Sequence, residues 1–241
     1  MVALSVNINK IATLRNARGG DQPNVVQAAR TCIAAGCHGI TVHPRPDERH
    51  IRKYDVLDLA AMLSVEFNIE GYPSPEFLDL VCRVRPTQCT LVPDPPGVLT
   101  SNVGWHLTGE VAWLGDVLQR LHDHGIRTSL FLEPDTDQVR RAKDLGTDRI
   151  ELYTEPYAKM FATAERERVY ETYHRAALVA QEVGLGVNAG HDLNLENLPF
   201  LAQHLPGLLE VSIGHALICD ALYMGLHPAV RAYLRALGQP F

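Results

Sequence analysis

Short apolar stretches alternate with longer amphipathic stretches along the whole chain. The short stretches are rich in β-branched residues and have the length of strands, whereas the longer ones repeat apolar residues at helical spacing. We predict strands at 4–8, 39–43, 67–70, 89–92, 128–132, 150–153, 186–189 and 209–213, and helices at 25–35, 56–63, 75–84, 111–124, 136–145, 163–183, 195–205 and 216–237. Regular alternation of the two kinds of element indicates a parallel sheet with crossover helices.

The number of these units narrows the fold class. Eight strand-and-helix units in 241 residues match an α/β (β/α)₈ TIM barrel in size. An open, doubly wound sheet is the structural alternative. Because no Pro/Gly/Ser-rich linker or charge run divides the chain, we expect a single domain over residues 1–241.

Composition and charge exclude several classes of partner. The formal net charge is −6, so we expect no nucleic acid, and any phosphate must be held by local cationic groups. The five cysteines are odd in number and lack CxxC spacing, which indicates free thiols in a reducing compartment. Neither a signal-peptide pattern nor an apolar run of membrane length is present in the sequence, so we expect a soluble, cytoplasmic protein with no membrane partner.

Motifs for common cofactors are missing from the sequence. It contains neither GxGxxG nor a P-loop, so a dinucleotide or ATP is not implied. The first strand ends in Asn7 and Asn9 instead of the His-x-His that zinc-dependent barrel hydrolases use. We therefore expect no cofactor and no metal.

Polar side chains recur at the predicted C-terminal strand ends, where TIM barrels carry their active sites. The most informative segment is 39–50, in which a buried-strand pattern runs into His43, Arg45 and His50, with prolines that stop the strand. The full set of polar or glycine strand ends is Asn7, Asn9, His43, Arg45, Glu70, Glu133, Glu151, Asn188, His191, Gly214 and His215.

Two kinds of chemistry follow from these residues. His43, Glu70 and His191 are candidates for general acid–base catalysis, because histidine titrates near neutrality and partial burial raises a glutamate towards it. Glu151 lies inside a strand and points either into the barrel or towards the helices. Glycines after the last two strands, at 190 and 214, predict a phosphate cradle of backbone N–H groups.

Residues 6–19, 39–50, and the pair 187–191 and 213–216 closely resemble the pyridoxine 5′-phosphate synthase family. The resemblance implies a barrel with extra helices that assembles into homo-oligomers, usually octamers. It also implies condensation of 1-deoxy-D-xylulose 5-phosphate with 3-amino-2-oxopropyl phosphate, giving pyridoxine 5′-phosphate, phosphate and water in vitamin B6 biosynthesis.

The resemblance further implies a role for each matching residue. The proton acceptors would be His43 and Glu70, the proton donor His191, and the group that stabilises the transition state Glu151. Deoxyxylulose phosphate would be contacted by Arg45, His50 and Thr100. The amino-ketone phosphate would be contacted by Asn7, Arg18, Gly214 and His215.

This chain departs from the commoner family pattern at two places. Asn9 and Lys10 stand where the family more often has Asp-His, and His191 is followed by Asp192 instead of glycine. We expect Asn9 to accept a hydrogen bond and Lys10 to reach a substrate phosphate. The Asp192 N–H can still bind the anion if its carboxylate turns away, for example to cap the following helix.

Two other functions stay open on the residues alone. Another phosphosugar barrel enzyme, of the aldolase or epimerase type, would need a lysine that forms a Schiff base, and Lys10 is the candidate at the mouth. A non-catalytic phosphometabolite-binding barrel would not need three titratable groups at one mouth.

Overall fold

A computed structural model describes residues 1–94, 103–109 and 111–240 of the chain. Within these residues, eight parallel strands close into a barrel in chain order, β1 to β8. They are β1 Ala3–Asn7, β2 Gly39–Val42, β3 Glu66–Gly71, β4 Gln88–Leu91, β5 Arg127–Leu132, β6 Arg149–Tyr153, β7 Gly186–Gly190 and β8 Leu208–Ile213. The predicted (β/α)₈ TIM barrel is confirmed, and the open sheet is excluded because β1 pairs with both β2 and β8.

The helices in the described residues are more numerous than predicted. They are α1 Asn9–Asn16, α2 Val25–Ala34, α3 Lys53–Met62, α4 Pro75–Val84, α5 Ala112–Asp123, α6 Thr136–Leu145, α7 Glu155–Met160, α8 Arg166–Glu182, α9 Leu198–His204, α10 His215–Met224 and α11 Leu226–Ala236. Helices α1 and α7 were not predicted. The single helix predicted over 216–237 is wrong, because Gly225 at φ +85° separates α10 from α11. Among all the residues that the structure describes, no helix has the length and apolar character needed to cross a bilayer.

Local signals explain where several helices begin. Ser74 accepts a hydrogen bond from the Phe77 N–H, and Pro75 occupies the first position of α4. Asp135 accepts from the N–H groups of Asp137 and Gln138 at the start of α6. Each cap lies a few residues after a strand, so the loop between strand and helix at the carboxyl side of the barrel is short.

The apolar core lies between the barrel and the helices, whereas the inside of the barrel is polar. Alternate strand residues such as Leu4 and Ile40 are fully buried in the core. Inside the barrel, Asn68 on β3 donates to Thr41 on β2 at 3.4 Å and accepts from Thr90 on β4 at 3.1 Å. We call this lining of inward-facing polar side chains the polar wall. It continues onto β1, where the Ser5 hydroxyl is hydrogen-bonded to the Thr41 hydroxyl at 2.7 Å.

Charged groups occupy the polar wall near the amino ends of the strands. Arg149 Nη1 lies 3.1 Å from Asn188 Oδ1 and 3.4 Å from Glu210 Oε2. Asn188 on β7 donates across the barrel to Gln88 on β4 at 3.4 Å, which shows that these side chains point inwards. Burial raises the pKa of Glu210 to about 7 despite the neighbouring Arg149.

Candidate active site

His43 and Glu70 meet at the carboxyl end of the barrel. The His43 Nδ1 atom lies 4.0 Å from Glu70 Oε2, and both side chains are largely buried. Asn7 Nδ2 donates to the same carboxylate oxygen at 3.4 Å, and Ser212 Oγ donates to Oε1 at 3.4 Å. Residues from β1, β3 and β8 and from the end of β2 therefore converge on one carboxylate.

The surroundings shift both groups of this pair. Burial raises the pKa of Glu70 to about 7, although the Ser212 hydrogen bond and the charge of His191 act in the opposite direction. Burial also lowers the pKa of His43 well below its ordinary value, and the charge of Arg45 adds to this effect. Near neutral pH the imidazole is therefore uncharged and the carboxyl group is close to its midpoint, so both can accept protons.

Glu151 points into the barrel. Burial raises the pKa of Glu151 well above its ordinary value. The negative charges of Glu70 and Glu210, which also face the interior, raise it further. Gly190 on the neighbouring strand leaves room for this carboxyl group: a methyl group at position 190 would lie 2.3 Å from Glu151 Oε1. The protonated form of such a carboxyl group can donate a hydrogen bond.

The loop after β2 holds His50 and Arg45 beside His43. The rings of His43 and His50 have centroids 6.2 Å apart. Burial lowers the pKa of His50 to about 4, and its Nδ1 accepts from the Ile51 N–H at 2.9 Å. His50 is thus neutral with its proton on Nε2, which can donate to a bound ligand. Arg45 Nη2 donates to Asp94 Oδ2 at 2.8 Å, and both side chains are buried.

A buried ion pair supports this loop from below. Arg15 lies with Nη1 at 2.5 Å from Asp55 Oδ1 and Nη2 at 2.9 Å from Asp55 Oδ2. The same guanidinium donates to the His50 carbonyl oxygen at 3.1 Å, and Asn16 Nδ2 donates to this same carbonyl oxygen at 2.8 Å. Helix α1 thereby fixes the backbone that carries His50.

Asn9 and Lys10 lie at the start of α1. Asn9 Oδ1 accepts from the His43 N–H at 2.9 Å, and its own N–H donates to Asn7 Oδ1 at 3.0 Å. Asn9 is therefore an acceptor, as expected, but for the protein backbone. Lys10 is exposed, and its charge contributes to the lowered pKa of His50.

Arg18 is not brought into this cluster. Arg18 is exposed beyond the end of α1, where its N–H donates to the Arg15 carbonyl at 3.4 Å. Thr100 lies outside the described residues.

The loops after β7 and β8 contain the candidate phosphate cradle. Helix α10 begins at His215 with Gly214 as its N-cap residue, so the first N–H groups of a ten-residue helix face the barrel mouth. A side chain at 214 would crowd Asn7, whose Cβ would lie 3.1 Å from the added methyl group. This arrangement could hold a phosphate dianion.

His191 and Asp192 follow β7 directly. Asp192 Oδ2 lies 3.2 Å from His191 Nδ1. The interpretation that Asp192 caps the next helix is wrong, because α9 begins at Leu198 and Asn197 is its N-cap residue. The carboxylate contacts the imidazole instead.

A cavity of about 330 Å³ adjoins His43 between the loops after β2 and β3. Its lining includes the cationic Arg45, Arg49 and Lys53 and the aromatic Tyr72 and Phe77. In the described residues no group of three or more His, Cys, Asp or Glu side chains is arranged to hold a metal ion.

Several contributors to the site were not selected from the sequence. Ser212 is two positions before Gly214 on β8, so period-two alternation could have placed it inside the barrel. Asp94 has no comparable signal, and its partner Arg45 is 49 residues away in the chain. The pairing of Arg15 with Asp55, 40 residues away, has no such signal either.

Comparison with known proteins identifies the family. Residues 4–239 match the family described as pyridoxal phosphate biosynthesis protein PdxJ. The pyridoxine 5′-phosphate synthase of Bacteroides thetaiotaomicron is 55% identical over 237 residues, covering 98% of this chain and 100% of that protein. The protein of the same name from Porphyromonas gingivalis is 54% identical over 233 residues, covering 97% and 98%.

Solved structures with low sequence identity share the fold alone. Tryptophan synthase from M. tuberculosis in an open form superposes with a TM-score of 0.66 at 12% identity, covering 99% of this chain and 94% of that chain. Phosphoribosylanthranilate isomerase from Thermotoga maritima superposes with a TM-score of 0.61 at 12% identity, covering 99% of both chains. On the family match and the sequence identities, the chain belongs to the PdxJ family of pyridoxal phosphate biosynthesis proteins.

Proposed function

We propose that this chain is an enzyme that condenses 1-deoxy-D-xylulose 5-phosphate with 3-amino-2-oxopropyl phosphate. The products are pyridoxine 5′-phosphate, inorganic phosphate and water. The observation that carries the proposal is the approach of His43 Nδ1 to within 4.0 Å of Glu70 Oε2 at the barrel mouth, in a chain of the PdxJ family.

The chemistry of the condensation accounts for the number of titratable groups. Imine formation removes protons from the amine nitrogen and adds one to a departing hydroxyl group, and ring closure to an aromatic product requires further proton removal from carbon. In this proposal Glu70 and the neutral His43 accept protons, and His191 donates one. The protonated Glu151 donates a hydrogen bond to an oxygen that gains negative charge.

Two phosphate groups must be bound at different places. The amino-ketone phosphate is assigned to the start of α10 at Gly214 and His215, with Asn7 and the Asp192 N–H as further contacts. Arg18 is assigned to this phosphate by the family resemblance alone, because it lies outside the cluster. Deoxyxylulose phosphate is assigned to Arg45 and His50, with Thr100, Asn9 and Lys10 as the remaining contacts. The 330 Å³ cavity beside His43 supports this second assignment, since its lining offers Arg45, Arg49 and Lys53 as hydrogen-bond donors to a phosphate, beside the acidic Asp47, Glu76 and Asp94.

Incubation of the pure protein with both substrates tests the proposal. We expect pyridoxine 5′-phosphate by mass spectrometry together with release of inorganic phosphate, and neither with the His43→Gln/Glu70→Gln double variant. Turnover of one phosphosugar alone would indicate an aldolase or epimerase. Binding of both substrates without product would indicate a non-catalytic barrel.

The proposal includes a homo-oligomer in the cytoplasm. Leu14 on α1 is 53% exposed, and Leu222 and Tyr223 at the end of the neighbouring α10 are 69% and 93% exposed. Large exposed apolar side chains on neighbouring helices favour a protein interface. The five free cysteines agree with a reducing compartment.

Light scattering tests this assembly. We expect a mass of several protomers of 26.7 kDa, an octamer by the family resemblance. Tyr223→Asp combined with Leu222→Asp should lower the mass, because a buried charge disfavours association. A wild-type monomer at working concentrations would exclude the oligomer.

A further inference from the structure

The two residues after β7 have an unusual backbone. His191 has φ +87° and Asp192 has φ +59°. This left-handed region is uncommon for residues other than glycine, although aspartate and asparagine tolerate it better than most. Two consecutive residues remain in it only where the surrounding structure holds them.

Buried side chains hold this segment. The Thr154 Oγ1 atom lies 2.6 Å from the carbonyl oxygens of both Gly190 and His191, and the Thr154 N–H donates to the Gly190 carbonyl at 2.9 Å. On the other side, Asn197 Nδ2 donates to the Asp192 carbonyl at 3.2 Å. The side chains of His191 and Asp192 therefore project from a fixed support.

The result is a carboxylate in contact with one nitrogen of the imidazole. Asp192 Oδ2 lies 3.2 Å from His191 Nδ1, and the Tyr153 ring packs edge-on against the imidazole at a centroid distance of 5.1 Å. The close contact with His191 lowers the pKa of Asp192, so this carboxylate is ionised at neutral pH. A carboxylate beside Nδ1 favours the tautomer that carries its proton on that nitrogen.

We propose that Asp192 is a positioning residue for His191: its carboxylate holds the imidazole on the Nδ1 side and leaves Nε2 for the substrate. The assignment rests on the proposed function in one respect, namely that His191 acts as the proton donor. It gives the Asp192 side chain a task in addition to the anion contact assigned to its N–H group.

Other charged groups surround the pair without taking this position. Glu70 on β3 and Glu155 on α7 face His191, and Lys159 and His215 face Asp192. The Glu155 carboxylate accepts a hydrogen bond from the Tyr153 hydroxyl and lies 2.6 Å from Lys159 Nζ. Glu155 is therefore a carboxylate in the same neighbourhood whose oxygens are engaged elsewhere.

Asp192→Asn and Glu155→Gln are matched variants, because each removes one negative charge near His191 with little change of shape. We expect NMR titration of the His191 imidazole, assigned by the resonance that disappears in His191→Gln, to show a midpoint lower by about 1 pH unit in Asp192→Asn. The midpoint should move less than half as far in Glu155→Gln. An unchanged midpoint in Asp192→Asn, or equal shifts in the two variants, would overturn the proposal. This readout does not depend on turnover.

Kinetics provide the second readout. A proton donor must be protonated, so activity falls as pH rises through its pKa, and a lower pKa moves this alkaline limb of kcat to lower pH. We expect that movement in Asp192→Asn, with the KM for the amino-ketone phosphate little changed. A raised KM with an unmoved alkaline limb would show that Asp192 serves phosphate binding alone. Absence of turnover in the wild type would contradict the proposed function and leave the NMR result to decide the role of Asp192.

Discussion

Glu70 Oε2 lies 4.0 Å from His43 Nδ1, although the two residues belong to successive strands separated by α3. Parallel pairing of β2 with β3 sets Val42 opposite Ile69. The next residues along the chain, His43 and Glu70, therefore emerge at the same edge of the barrel. Asn7 and Ser212 approach the same carboxylate from the other side. The closed barrel therefore makes one carboxylate the meeting point of four strands.

Glu70→Gln should retain substrate binding and lower turnover by roughly 10²–10⁴-fold. Glutamine keeps the size, its oxygen can accept from Asn7 and its NH₂ group can donate to the Ser212 hydroxyl, but it cannot take a proton from the substrate. Single-turnover rates measured together with ligand binding separate these effects. If turnover stays near the wild-type value, Glu70 does not belong to the catalytic groups.

Glu210→Gln should make the stability less dependent on pH. The pKa of Glu210 is raised from 4.5 to about 7 in the folded chain, so its contribution to stability is complete below pH 4.5 and is lost as pH rises through 7. Wild-type stability should therefore fall over this range more steeply than that of the variant. Urea unfolding at several pH values gives the difference, which isolates Glu210 from Glu70 and Glu151. Parallel profiles would show that Glu210 titrates alike in both states.

Arg15→Met should destabilise the fold by about 3–5 kcal/mol, because it leaves the buried Asp55 carboxylate without its cation. The control is Arg120→Met, which removes the exposed partner of Asp79 and should cost less than about 1 kcal/mol. Adding Asp55→Asn to Arg15→Met should restore part of the loss. Similar unfolding free energies for the two single variants would contradict the importance of burial here.

Gly190→Ala should destabilise the barrel by roughly 1–3 kcal/mol through overpacking. Its methyl group would lie 2.3 Å from Glu151 Oε1 and 3.2 Å from the Ser212 carbonyl oxygen. In a Glu151→Ala background the first of these contacts is absent, so the same substitution should cost less. A double-mutant cycle of unfolding free energies measures the coupling. Zero coupling would place the Glu151 side chain elsewhere.

Alternation of apolar strands and amphipathic helices was sufficient to predict the barrel, because both periods are local properties of the chain. The same locality explains the errors. Helix α7 has six residues, too few for a clear period, and the glycine at 225 is compatible with a helix until its φ of +85° is known.

The site residues also divide into those that local sequence predicts and those that it does not. His43, Glu70 and His191 lie at strand ends and could be selected from position alone. The inward direction of Glu151 depends on which face of β6 lines the barrel, and the Arg45 to Asp94 and Arg15 to Asp55 pairs join distant segments. Contacts of that kind arise from the closed topology and have no local pattern.

The polar wall has a consequence for protein engineering. Its hydrogen bonds run around the circumference, as from Thr41 to Asn68 to Thr90, instead of along each strand. Replacing one of these residues by a hydrophobic one leaves a neighbour on the adjacent strand without its partner. A redesign of the interior would therefore have to exchange whole rings of residues at one level of the barrel, and libraries that vary one strand at a time would sample mostly defective proteins.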